Sequence, residues 1–278
     1  ATPVLVDVDP VTYNIDPTVV EAAITDRTAA LLPVAWGGQP LDPAPFIEAA
    51  DRHDLWVVED AACSVGASFG GTPVGSQFDV SVFSLHPRKV LTTGEGGMIT
   101  TDDDELARRI RSKKRFGVDP AQPERGFQDP DATNYKFSDI LAAVGMAQLD
   151  RVDAIVQRRQ EIAGRYDELL ADVPGVTAPA TIDGGEHNYQ CYCVYLEAGD
   201  DDLQRHLIEV LKEDAIETQI GTYALSVTEA FAEMPSGGEL VHSVDLYRNL
   251  LTLPVAHSMT DADQRRVVDA LESAISAY

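Results

Sequence analysis

The sequence predicts an α/β protein with a mostly parallel sheet, and two observations carry that expectation. Apolar, strand-like runs start at Val4, Ala29, Leu55 and Val80, about 25 residues apart, with helix-like segments in the gaps. Such a rhythm favours crossover units over hairpins. The intervening helices open on Asp16-Pro17 and Asp42-Pro43, where an acid precedes a proline suited to the first helical turn.

Taken in order, Val4 to Asp9, Ala29 to Trp36, Leu55 to Ala62 and Val80 to His86 are the expected strands, with helices over Pro17 to Ile24 and Asp42 to Arg52. Gly96 to Thr101 adds a strand. Asp102 to Phe116 adds a helix whose basic end, Arg111-Ser112-Lys113-Lys114-Arg115, is expected to complement the helix dipole, the alternative being a contact to substrate phosphate. Gly117 to Thr133, rich in Pro, Gly, Asp and Gln, is expected as a long loop. From Ser138 the apolar positions Ile140, Leu141, Val144, Leu149, Val152, Ile155 and Val156 keep a helical period toward Leu170, which predicts one long helix joining two domains. Beyond Pro174 a strand over Tyr189 to Glu197, a helix over Asp201 to Asp214 and a last helix from Thr260 form a second α/β unit. The expected division is a large domain over 1–137, a connecting helix over 138–172 and a small domain over 173–278.

Charge narrows the function. The 278 residues carry 46 acidic and 21 basic side chains, a net charge of -25, with only five lysines among the basic ones. A nucleic-acid partner is thereby disfavoured. Acidic runs such as Thr101 to Glu105 and Gly199 to Asp202 suit helix starts, but that local role does not account for the total. A lysine-poor acidic surface is expected of a protein adapted to high salt, where screening removes self-repulsion; the alternative is an acidic bacterial enzyme. No apolar run approaches membrane-spanning length, and Ala1-Thr2-Pro3 has no charged leader, so a cytoplasmic protein is expected. Cys63, Cys191 and Cys193 are too few for a disulfide framework, and no metal site is expected of them.

The chemistry centres on two residues. Lys89 lies in a turn between strand-like segments, preceded by Ser84 and followed by Thr92-Thr93-Gly94-Glu95-Gly96-Gly97. Asp60 ends the apolar run that starts at Leu55, one crossover away. A lysine able to form an imine and a carboxylate able to pair with a pyridinium nitrogen are what pyridoxal phosphate requires of a protein.

Glu59-Asp60-Ala61-Ala62, Phe83-Ser84-Leu85-His86-Pro87-Arg88-Lys89 and Thr92 to Met98 together resemble the DegT/StrS type of pyridoxal-phosphate-dependent nucleotide-sugar aminotransferases. The likeness continues through Gly38-Gln39-Pro40, Asn134 to Gly145 and Leu251-Thr252-Leu253-Pro254, nearly the whole chain. It implies a fold-type I aminotransferase, with Lys89 holding the cofactor, Asp60 on the ring nitrogen and Ser84 on the phosphate. Asn134 would reach the phosphate of a neighbouring subunit in a homodimer with shared active sites. Cys63 stands beside the cofactor where Gln or His is common, Lys136 replaces a usual Arg, and Ser226 stands where a His is frequent. His86, Lys136, His187 and Tyr223 are candidate substrate contacts, His187 being otherwise expected as a solvated loop residue.

The implied substrates are a nucleotide-linked keto-sugar and an amino-acid donor, glutamate. A sugar dehydratase, in which a histidine replaces the lysine, and a non-catalytic ligand-binding relative are the rivals; Lys89 speaks against the first. By the same resemblance the large domain begins incompletely. A further strand would lie between Val4 to Asp9 and Ala29 to Trp36, holding them roughly 9 to 10 Å apart and unpaired.

Overall fold

The computed structural model describes residues 1–197 and 202–278. In chain order the strands are β1 (Ala30–Leu31), β2 (Trp56–Asp60), β3 (Ser68–Phe69), β4 (Thr72–Pro73), β5 (Val80–Ser84), β6 (Gly97–Thr100), β7 (Val176–Thr177), β8 (Gly185–Glu186), β9 (Tyr192–Leu196), β10 (Gln219–Ile220) and β11 (Leu250–Leu253). The helices are α1 (Pro17–Ala23), α2 (Ala44–His53), α3 (Asp104–Lys113), α4 (Asp139–Leu149), α5 (Val152–Leu170), α6 (Leu203–Glu213), α7 (Val241–Asn249) and α8 (Asp261–Ala277).

The first sheet runs β1-β2-β5-β6. β1, β2 and β5 are parallel, as the crossover rhythm predicts, and β6 returns antiparallel to β5. β1 is short, but Ala35 N donates to Asp60 O at 3.0 Å and Asp60 N to Pro33 O at 2.9 Å, so its line continues to the end of β2. Strand alternation sorts the side chains. Glu59 and Ser81 are register partners, buried, and joined by a bond from Ser81 Oγ to Glu59 Oε2 at 2.6 Å. Burial holds the Glu59 carboxyl above its usual range, and the Ser81 bond opposes that. Asp60, one residue on, turns to the opposite face beside Val82. α1 and α2 supply Val20, Phe46, Ala49 and Ala50 to a core with Leu31, Ala35 and Val57.

The second sheet, β10-β11-β9-β7, is antiparallel. Its core unites Tyr192, Val194 and Leu196 of β9 with α5, α6 and α8, through residues such as Tyr166, Leu207 and Leu271. A capping box of Thr260 and Asp263 starts α8. A small third sheet, β4-β3-β8, joins residues 68–73 to 185–186.

Four expectations are corrected. Val4 to Asp9 is not a strand of the sheet: Leu5 pairs with residues 235 and 237, and Asp7 and Asp9 with residues 16 and 14. The apolar alternation there is real, but its backbone groups find partners in loops. No backbone bond joins it to residues 29–36 among the described residues. The long helix over 138–172 is two helices, α4 and α5, broken at Asp150 and Arg151. The Gln148 side chain bonds both backbone groups of Thr92, pinning the end of α4 to the β5–β6 loop, while Arg151 N turns back to Gln148 O at 2.9 Å. α5 then contributes Val152 and Val156 to one core and Ile162, Tyr166 and Leu170 to another. The solvated loop His187 is instead buried. The helix expected over Asp102 to Phe116 is confined to Asp104–Lys113, where Asp103 caps it by accepting from Leu106 N at 2.8 Å. Of the acidic run Gly199 to Asp202 and the helix start expected at Asp201, residues 198–201 lie outside the described residues.

Candidate active site

Asp60, Val82 and Ser84 share one face of the first sheet, at the carboxyl ends of its parallel strands, where ligands of open α/β sheets gather. Asp60 Oδ1 accepts from Ala62 N at 2.9 Å. Its second carboxylate oxygen takes no hydrogen bond from the described residues and remains free for a ligand donor. Ser84 Oγ accepts from His86 N at 3.3 Å, at the point where the chain leaves β5.

The β5–β6 loop then presents Lys89. Lys89 N closes a turn on His86 O at 3.0 Å, and the loop ends are sewn together by Thr93 N to Leu85 O and Leu85 N to Gly96 O, at 3.0 and 2.9 Å. Leu85, Val90 and Leu91 bury against Val152 and Val156 of α5, so the apolar residues flanking the lysine anchor the loop. Lys89 Nζ emerges to donate to Cys63 Sγ at 3.0 Å. Burial pushes the Cys63 thiol up, opposed by its bond to Lys89. Cys191 lies near the same amine: contact with the Cys193 thiol, and then the charges of Arg159 and Lys89, hold it below the usual thiol range against the effect of burial.

The structure thus brings Asp60, Cys63, Ser84 and Lys89 to one sheet end. His86 belongs to the same turn, and the other candidates lie apart from it. Asn134 and Lys136 are exposed on a strap bridged to Arg115, with Asn134 Oδ1 accepting from Lys136 N at 3.3 Å and Lys136 Nζ 5.5 Å from the Phe116 ring centre. Tyr223 is exposed with its ring 5.8 Å from that of Tyr247. His86 Nδ1 accepts from Arg88 N at 3.2 Å, within the lysine turn. His187 stacks on Tyr189 at 4.2 Å and its Nδ1 accepts from Tyr189 N at 2.8 Å.

Residues 188 to 190 lie against Cys63 and the lysine turn, a contact that the sequence did not identify. Asn188 is fully buried and donates to Cys63 O and Val65 O, both at 2.8 Å. Gln190 reaches the lysine turn through Val90 N and Arg88 O. The one local signal was Gly37-Gly38. Both adopt positive φ, and a Cβ on Gly38 would lie 1.8 Å from Asn188 Oδ1, so only glycine admits the asparagine.

Residues 1–272 match the DegT/DnrJ/EryC1/StrS aminotransferase family. The chain is 39% identical over 280 residues to GDP-perosamine synthase of Caulobacter vibrioides, covering 99% of this chain and 74% of that protein. With the spore coat polysaccharide biosynthesis protein SpsC of Bacillus subtilis the identity is 35% over 290 residues, again covering 99% and 74%. Among solved structures, that of DesI in the presence of its TDP-sugar product matches with a TM-score of 0.89 at 34% identity, over 98% of this chain and 68% of DesI. On this likeness, and with its lysine and aspartate at the end of a fold-type I sheet, the chain belongs to the DegT/DnrJ/EryC1/StrS aminotransferase family.

Proposed function

We propose that the protein transfers an amino group from glutamate to the carbonyl of a nucleotide-linked keto-sugar, with pyridoxal phosphate as cofactor. The observation that carries this reading is the meeting of Lys89 and Asp60 at the carboxyl end of one sheet, around Cys63. The donor set suits the cofactor: an amine for its aldehyde, a carboxylate with a free oxygen for its ring nitrogen, and a hydroxyl for its phosphate. The nucleotide-sugar part rests on relatives named for such substrates.

When bound, pyridoxal phosphate supplies an electron sink for negative charge developing on the substrate carbon. The chain's residues do the rest. Asp60 would pair with the ring nitrogen through a charge-assisted hydrogen bond and favour its protonated form. Ser84, with Asn134 of a second copy, anchors the phosphate. Lys89 Nζ would be the point of attachment for the cofactor's aldehyde, and its amine would serve as the acid and base for the proton on the substrate carbon. Met98 and Ile99 of β6 and Ile140, Val144, Met146 and Leu149 of α4 are large apolar side chains left exposed, as residues covered in a homodimer would be. No described helix is long and apolar enough to cross a membrane, and the three free cysteines suit a reducing, cytoplasmic setting. The acid excess suits a halophilic source.

Spectroscopy of the loaded protein tests the reading. Glutamate is expected to convert the bound cofactor to its amine form, and one of a panel of nucleotide keto-sugars to convert it back. No response of the visible spectrum to glutamate would sink the proposed donor, and no reversal by any keto-sugar the proposed acceptor.

A further inference from the structure

We propose that Gln190 is the positioning residue for Lys89, acting as a one-residue strand laid against the lysine turn. Its side-chain oxygen accepts from Val90 N at 2.8 Å and its Nε2 donates to Arg88 O at 2.7 Å. These are the residues immediately after and before Lys89. One carboxamide therefore closes a pair of bonds across the lysine, with the donor and acceptor pairing that a neighbouring β-strand would offer its backbone. Few side chains can do this, because both an acceptor and a donor must sit on one planar group.

The clamp is itself held at its base. Gln190 N donates to Asn188 Oδ1 at 2.8 Å, and Gln190 O accepts from Arg159 Nη2 at 2.9 Å. Arg159 also donates to Tyr189 O at 2.7 Å and Val255 O at 3.3 Å, so its guanidinium is spent on fixing this segment. Asn188 continues the path to Cys63 O. Cys63 and Lys89, which meet at 3.0 Å, are thus tied to the same three-residue segment, one through Asn188 and the other through Gln190. A lysine side chain is long and rotamer-rich, and fixing the backbone on both sides of its Cα limits the volume its Nζ can sample. Gln190 is separated from the turn by 100 residues, and it leads into β9 of the second sheet. It therefore also links the position of that sheet to the direction of the amine.

The role rests on Lys89 being the cofactor-holding lysine, and the test separates the two ideas. Gln190→Leu removes both bonds at similar volume, and Gln190→Glu keeps the acceptor for Val90 N while losing the donor to Arg88 O. Each protein, stripped of cofactor and then supplied with pyridoxal phosphate, is followed for the rate of forming the borohydride-reducible link, the pH midpoint of the visible absorbance of the loaded form, and melting temperature. The expected result is link formation at least tenfold slower in Gln190→Leu, a midpoint moved by half a pH unit or more, and an intermediate effect in Gln190→Glu, with the label still on Lys89. A purely structural role would move the melting temperature and leave the midpoint alone. Parental rate and midpoint in Gln190→Leu, with the link lost in Lys89→Ala, would overturn the clamp and leave the lysine assignment standing. A link that survives Lys89→Ala would overturn both. Should Gln190→Leu fail to fold, Gln190→Glu decides by the same two readouts.

Discussion

The amine of Lys89 and the thiol of Cys63 are hydrogen-bonded at 3.0 Å, although 26 residues separate them and they leave different strands. Lys89 lowers a thiol that burial raises, so removing the amine is expected to raise the thiol further. In the cofactor-free protein, Lys89→Ala should slow alkylation of Cys63 by iodoacetamide at pH 8 at least threefold, measured by peptide mass spectrometry. The same variant should yield no borohydride-reducible link to pyridoxal phosphate. Unchanged alkylation would remove the contact, and a retained link would remove the assignment of Lys89.

Asp60→Asn is expected to bind pyridoxal phosphate and transaminate poorly, with kcat reduced at least a hundredfold. The amide can accept the bond from Ala62 N that Oδ1 now takes, so the local turn survives, but it cannot hold a pyridinium proton. Turnover near that of the parent, in stopped-flow half-reactions with glutamate, would count against the pairing.

His187 gives a pH dependence with a definite sign. Burial, and then the charge of Arg159, push its imidazole down to about 3 from 6.5. The unfolded chain therefore binds an extra proton between those values, so the stability His187 contributes is present above pH 6.5 and lost as pH falls toward 3. Well inside that window the slope approaches about 1.4 kcal/mol per pH unit for one proton. His187→Asn should reduce the difference in stability between urea melts at pH 6.5 and pH 5 by about 1.6 kcal/mol. Equal slopes in the two proteins would show that the ring titrates alike in the folded and unfolded chain, without the downward shift.

The net charge of -25 sets the response to salt. Melting temperature is expected to climb as potassium chloride approaches 1 M, where the Debye length falls to about 3 Å and carboxylate repulsion is screened. A flat or falling curve over that range would dispose of the halophilic reading.

The placement of Asp60 and Lys89 at one sheet end was legible in the sequence, and the segment that supports the lysine turn was not. Asp60 and Lys89 announce themselves because a charge at the end of an apolar strand and a lysine in a glycine-flanked turn are local patterns. Gln190 and Asn188 act across 100 and 125 residues, and a polar side chain that bonds so far away leaves no periodicity behind it. The break between α4 and α5 was hidden for a related reason. Leu149 and Val152 keep the helical spacing across it, while the cause, Gln148 reaching Thr92, lies 56 residues off. In Val4 to Asp9 the apolar alternation was read correctly, but alternation cannot name a partner, and the segment spends its carboxylate at Asp7 on His242 N and Ser243 N instead, both at 2.8 Å.

The amide side chains around the lysine turn, Gln148, Asn188 and Gln190, are uncharged. Hydrogen bonds between neutral groups are not weakened by counterions, whereas every surface carboxylate in this chain responds to them. The expected response to solvent is therefore divided: ionic strength bears on the folded chain through its surface carboxylates, while the carboxamide bonds that flank Lys89 are made between neutral groups and are not screened.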